Sequence, residues 1–204
     1  MKKSKAETAE TRKRIVAMAA KVFLEHGIAA TGIADIMKEA GLTQGGFYRH
    51  FESKEQLIAE ASEEAFNQID AVLGLAVAGM GPRQAFDTIV RKYLRQRQGT
   101  GPLCPLASLG SELPHSDAQV RAIVNIAHQR MVANLSALLR QLDMAEPAAV
   151  ADAVVSTMLG AVTIARLAQT DASAESILDN AEHTIGLLLR SSPRVDGAKA
   201  AVHR

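Results

Sequence analysis

The sequence predicts an all-α protein of nine helices. Apolar residues recur at three- and four-residue spacing along almost the whole chain, and no segment alternates at period two for long enough to make a sheet. Gly, Pro, Ser and Thr punctuate that pattern at helix-length intervals. With 204 residues, 48% hydrophobic and 22% charged, the chain has globular composition and can bury a real core. No apolar run approaches the ~18 residues of a membrane-spanning helix. The basic start MKKSKAETAETRKR leads into an amphipathic segment, not the apolar stretch of a secretory signal. The expectation is a cytoplasmic protein with no membrane partner.

The first helix starts between Ser4 and Thr8, where Ser4 and Glu7 have capping-box spacing. It presents Ile15, Met18, Ala19, Val22 and Phe23 on one face and stops at Gly27. Thr31 caps a short second helix carrying Ile33, Ile36 and Met37, which ends at Gly41, a residue type that accepts the left-handed conformation past a helix end. Thr43 caps a third. Two short helices joined by a turn of three or four residues make a helix-turn-helix. A long fourth helix starts at Ser53, with Gln56 completing a capping box, and carries Leu57, Ile58, Ala61, Ala65, Phe66, Ile69, Val72 and Leu73. GLAVAGMGP breaks the pattern, and Pro82 opens a fifth helix to about Gln98. After GTGP a short sixth covers Cys104 to Leu113, and Ser116 or Asp117 caps a seventh ending near Met144. Pro147 opens an eighth to about Gln169 and Ser173 a ninth to about Arg190. The expected domains are 1–52 for the helix-turn-helix module, 53–191 for a larger helical domain, and a disordered tail over 192–204 that lacks apolar periodicity.

Charge separates along the same line. Residues 1–54 hold ten Lys and Arg against six Asp and Glu, a net +4, whereas residues 55–204 hold thirteen against sixteen, a net −3. Only the first quarter attracts a polyanion. Within it, GLTQGGFYRHFESKEQL sets two adjacent glycines in a helical context at ~1 kcal/mol each of lost propensity. Without side chains, Gly45 and Gly46 let the start of the third helix approach a duplex closely, where its backbone amides favour phosphate oxygens. Phe47 and Phe51, four apart, supply packing onto the first two helices. Gln44 suits adenine and Arg49 guanine in the major groove. Thr43, Tyr48, His50 and Lys54 suit phosphates, which set register without reading sequence. Lys2, Lys3 and Lys5 form a basic arm. A plainer reading, a helical hairpin with a glycine kink, leaves the run of polar residues unexplained.

The stretch from Thr11 to Leu57 resembles the DNA-binding domain of TetR-type transcriptional regulators, through FLEHG, Thr31, IADI, AGLTQGGFYRHF and SKEQL. The resemblance implies that helices one to three bind double-stranded operator DNA, helices four to seven enclose a small-molecule inducer, and helices eight and nine pair two subunits as a homodimer. By position it assigns DNA contacts to Thr31, Thr43, Gln44, Gly45, Gly46, Tyr48, Arg49, His50 and Lys54. CPLASLGSEL is similar to the sixth-helix segment of TetR-type regulators that sense electrophiles or oxidants through a cysteine, although Leu103 stands where a glycine often precedes that cysteine.

Beyond residue 57 the residues carry the reading. In helix eight, Ala149, Ala153, Gly160, Ala161 and Ala165 permit close helix approach, beside the bulk of Val150, Val154, Met158 and Ile164. Helix nine offers Ile177, Leu178, Ala181, Ile185, Leu188 and Leu189, and faces this wide favour a homodimer. Phe66, Phe86, Tyr93, Cys104, His128, Met131 and Met158 are the ligand-pocket candidates, with core packing the competing reading for each. Cys104, the single cysteine, excludes an internal disulfide; it is either a small buried apolar residue or a sensor activated by a cation such as His128 or Arg95. An enzyme using Cys104 as nucleophile is the rival class, but no metal triad, phosphate loop or nucleophile elbow supports it. No metal or cofactor is expected.

Overall fold

The computed structural model describes residues 5–96 and 103–195. Among them the chain forms eight α-helices and two 3-10 helices: α1 (Lys5–His26), α2 (Ile33–Glu39), a 3-10 helix (Gln44–Arg49), α3 (Lys54–Val77), α4 (Pro82–Leu94), α5 (Pro105–Leu109), a 3-10 helix (Leu113–His115), α6 (Ala118–Arg140), α7 (Pro147–Ala165) and α8 (Asp171–Ser191). The all-α expectation holds, and the nine expected helices are α1–α8 with the 3-10 helix Gln44–Arg49 in third place.

The packing divides the chain into two compact units that cut across the expected boundary at residue 52. One takes Met1–Asp70 and Gln98–Ile126, the other Ala71–Arg97 and Ala127–Arg204, so α3 and α6 each give residues to both. In the first unit α1 packs on α2 and α5, and α2 on the 3-10 helix. Ile15, Phe23, Ile36, Met37, Phe47, Phe51, Leu57, Leu109 and Leu113 share one core. In the second, α7 packs chiefly on α8 and α4 on both. Phe86, Tyr93, Leu135, Leu139, Val154 and Met158 are buried there. Val72, expected on the apolar face of α3, is exposed.

Several ends differ from expectation. Ser53 Oγ accepts from the Gln56 N–H at 3.2 Å, while the Gln56 side chain reaches Glu52 N, one residue early for a capping box. The sixth segment breaks after Leu109, since Gly110 and Pro114 both oppose helix continuation. Asp117 caps α6 through Val120 N at 2.8 Å. That helix stops at Arg140, not near Met144, as Asp143 takes φ +58°. The cap of α8 is Thr170, whose hydroxyl accepts from Ser173 N; Ser173 lies in the first turn. The tail is ordered as far as Val195: Ala145 N donates to Pro193 O at 3.0 Å and Val195 N to Asp143 O at 2.9 Å, one antiparallel bridge. Ser4, Lys2, Lys3, Gln98 and residues 196–204 lie outside the described residues.

α7 is, by length and composition, apolar enough to cross a membrane, contrary to the expectation that no run comes close. Val150, Ala151, Val154, Val155, Met158, Ala161 and Val162 are buried in the second unit, which is where that apolar content is used. Thr170→Ala removes the α8 cap and should lower stability by ~1 kcal/mol, read by urea denaturation. An unchanged midpoint would mean that the hydroxyl does not cap.

Candidate nucleic-acid interface

α1 ends where Gly27 takes φ +88°, its N–H bonded to the Phe23 carbonyl at 2.8 Å. That leaves the Gly27 carbonyl without a helical partner, and Thr31 supplies one: its Oγ1 donates to Gly27 O at 2.6 Å. Thr31 is only 2% exposed, and its expected role as the cap of the second helix is corrected. Gly32 caps α2 instead, its N–H donating to Asp35 Oδ2 at 3.0 Å.

The turn after α2 is a Schellman motif, with Leu42 N donating to Met37 O at 2.8 Å and Gly41 N to Lys38 O at 2.9 Å. Gly41 takes the required positive φ of 69°. Thr43 then precedes the next helix without a side-chain cap bond, and that helix is 3-10 rather than α. A glycine pair at its start explains this, since neither residue favours α geometry.

This short helix has two sides. Phe47 and Phe51 are buried as expected, their rings stacked with centroids 5.4 Å apart. Opposite them Thr43, Gln44, Gly45, Tyr48 and Arg49 are exposed, Tyr48 to 71%, with Gly46 and His50 half-buried. A Cβ on Gly45 would meet nothing within 4 Å, and one on Gly46 would make ordinary contact with Met37 at 3.6 Å. Neither glycine has positive φ. Lys54 is half-buried and its Nζ donates to the Ile28 carbonyl at 3.1 Å, leaving an ammonium with further donor capacity at the edge of this face.

Sequence reasoning missed the residue that fixes the first turn. Glu112, 84 residues on, accepts from Ile28 N at 3.2 Å and Ala29 N at 2.6 Å. Gly27 makes room for it, because a Cβ there would lie 2.7 Å from Glu112 Oε1. Glycine signalled the turn, but no local pattern names a partner that distant. A cleft of about 410 Å³ opens beside it, lined by Ile28, Lys54, Ile58, Glu112, His115 and Val120 among others.

The expected ligand residues lie elsewhere. Phe66 and Cys104 are buried in the first unit; Phe86, Tyr93, Met131 and Met158 are buried in the second, and His128 is partly exposed there beside Asp152. None of them lines this cleft or a second one bordered by Arg12, Val16, Glu60 and Asn67. Cys104 is 1% exposed. Arg95, one cation proposed to activate it, is bonded to Asp179 at 2.6 Å and Glu182 at 3.1 Å. The Asp179 hydrogen bond raises the Arg95 pKa, against the opposing pull of burial.

The family model for "Bacterial regulatory proteins, tetR family" matches residues 15–61, which run from α1 into α3. A TetR transcriptional regulator of known structure from Chloroflexus aurantiacus is 29% identical and superposes with a TM-score of 0.73, covering 89% of this chain and 96% of that one. Residues 15–61 thus match the TetR family, and the chain has the fold of a TetR transcriptional regulator. Among curated relatives, the HTH-type transcriptional regulator AcrR of Shigella flexneri is 39% identical over 62 residues, 30% of this chain and 29% of its own. The HTH-type transcriptional repressor BepR of Brucella suis is 46% identical over 54 residues, 26% of each chain. The alignments thus span less than a third of either relative.

Gly27→Ala combines an unfavourable φ, ~1–3 kcal/mol, with the clash on Glu112. In a Glu112→Ala background only the backbone part should remain, so a double-mutant cycle by thermal melting is expected to be non-additive. Additivity would mean that Glu112 does not occupy the space over Gly27.

Proposed function

We propose that the protein is a non-enzymatic, ligand-responsive transcriptional repressor that reads a palindromic operator as a homodimer and therefore works in the cytoplasm. The observation that carries this reading is Gly45. No positive φ and no neighbouring atom calls for glycine there, yet the position forgoes ~1 kcal/mol of helix propensity. The reason for a bare backbone then lies outside the chain, and a phosphate rail is the partner that an exposed helix start beside Gln44, Tyr48 and Arg49 suits. Gln44 and Arg49 read base edges; Thr43, Tyr48, His50 and Lys54 hold phosphates. The name of BepR as a repressor supports the sign of regulation.

Residues 1–52 serve as the reading module and 53–191 as the inducer-binding and dimerising domain. α7 and α8 pair two protomers. Ala149 and Ala153 are exposed on α7, Ile164 is 55% and Leu167 79% exposed, and Leu187 on α8 is 48% exposed. A two-fold axis would cover these side chains and set two reading helices one duplex turn, ~34 to 36 Å, apart. An apolar or amphipathic inducer among Phe86, Tyr93, Met131 and Met158 of the second unit would favour a conformation in which that spacing is altered. Sensing at Cys104 is the weaker reading, as a buried thiol lacks the access that oxidation requires.

Selection of bound duplexes from a random pool should return a palindrome, and a small-molecule panel should contain compounds that lower affinity for it. Gly45→Leu should leave the melting temperature equal or higher while abolishing binding to the selected duplex. Retained binding would sink the reading of Gly45. Ala153→Arg should convert dimer to monomer in analytical ultracentrifugation; a dimer that persists would put the interface elsewhere.

A further inference from the structure

The reading helix is held at its C-terminal end by a residue of α1. Arg12 donates through Nε to the carbonyl of His50 at 3.1 Å, and its guanidinium lies over the Phe51 ring, 4.6 Å from the centroid. Its two terminal nitrogens fork onto Glu60 of α3, Nη2 to Oε1 at 2.5 Å and Nη1 to Oε2. The side chains are 35% and 26% exposed, so the pair is partly withdrawn from water, unlike a freely solvated surface pair. A guanidinium suits this place because it is planar and carries five donors in fixed geometry, letting one group meet a carbonyl, a carboxylate and a ring face together.

Gln44–Arg49 needs such a hold. Six residues exceed the usual three or four of a 3-10 helix, whose hydrogen bonds are poorly aligned, so its direction depends on what grips its ends. We propose that Arg12 is a positioning residue for DNA reading: by tying His50 and Phe51 to Glu60 it sets the angle at which Gln44, Tyr48 and Arg49 meet the groove, without contacting the duplex. This rests on the DNA-reading function proposed above. The alternative, a phosphate contact, is disfavoured by the committed fork: Arg12 and Glu60 together present no net charge to a polyanion.

The test measures affinity of the full-length protein for the selected palindrome and for a scrambled duplex, by fluorescence anisotropy at several salt concentrations, with circular-dichroism melts of each variant. Arg12→Lys keeps the charge and loses the fork; Glu60→Gln loses the anchor's charge. Each is expected to weaken the palindrome about tenfold or more, leave the scrambled duplex within about twofold, and leave the salt slope unchanged. Tighter binding of both duplexes by Glu60→Gln would mean that Glu60 merely repels DNA or restrains a phosphate-binding Arg12, and would overturn the proposal. An equal loss on both duplexes that tracks the fraction unfolded would reduce Arg12 to a stability role and also overturn it. If the variants discriminate as well as the wild type, only the Arg12 proposal fails; if the wild type itself prefers no duplex, the reading function fails with it.

Discussion

A 3-10 helix of six residues with two glycines in its first turn cannot fix its own direction, and the first unit is organised around that constraint. Phe47 and Phe51 drive one side of Gln44–Arg49 into a core shared with Ile15, Ile36 and Met37. Burying two phenylalanines contributes roughly 3–6 kcal/mol by transfer, enough to offset the weak local propensity. Once that side is buried, the other must face outward. The Schellman turn at Gly41 sets where the helix starts, and the Arg12 contacts set where it ends. The turn after α1 is fixed in the same manner, by Thr31 from inside and Glu112 from a distant segment.

How much of this was legible depended on range along the chain. Gly27 and Gly41 as helix stops, Pro82 and Pro147 as helix starts, and the Phe47–Phe51 pair follow from rules that act within about four residues, and each stands where those rules put it. Thr31 misled because a threonine after a helix has two uses: it can cap the helix that follows or satisfy a carbonyl of the one before. Spacing alone does not separate these, and here the Gly27 carbonyl, four residues back, took the hydroxyl. Ser173 misled differently: it lies in the first turn and donates its N–H to the cap, Thr170, three residues earlier. Glu112 and the Arg12–Glu60 fork were invisible for a different reason. Their partners lie 38 to 84 residues away, and the only local trace was a glycine whose missing Cβ leaves room for a carboxylate.

Apolar content also means different things in different places. α7 and α3 are both long, but α3 carries Glu55, Glu60, Glu63 and Glu64 among its apolar residues, whereas the only charge in α7 is Asp152. A helix so uniformly apolar suits burial on more than one side. α7 buries the side that carries Val150, Val154 and Met158, and leaves out Ala153 and Ile164. In the proposed homodimer, small residues at 149, 153 and 160 would let a second helix approach closely, and isologous pairing would use the same surface twice.

On the proposed reading, the closed interior of the second unit bears on regulation. Phe86, Tyr93 and Met158 are fully buried and Met131 nearly so. An inducer that uses these residues must first open the packing around them, and its apparent affinity falls by the fraction of molecules already open. That cost is also the source of coupling. A ligand fitting the closed state as well as the open one would shift nothing, whereas one that requires opening favours the open state by its whole binding free energy. Tight packing among these side chains and responsiveness to a ligand are therefore one property, and a variant that pre-opens the interior should gain ligand affinity and lose repression together.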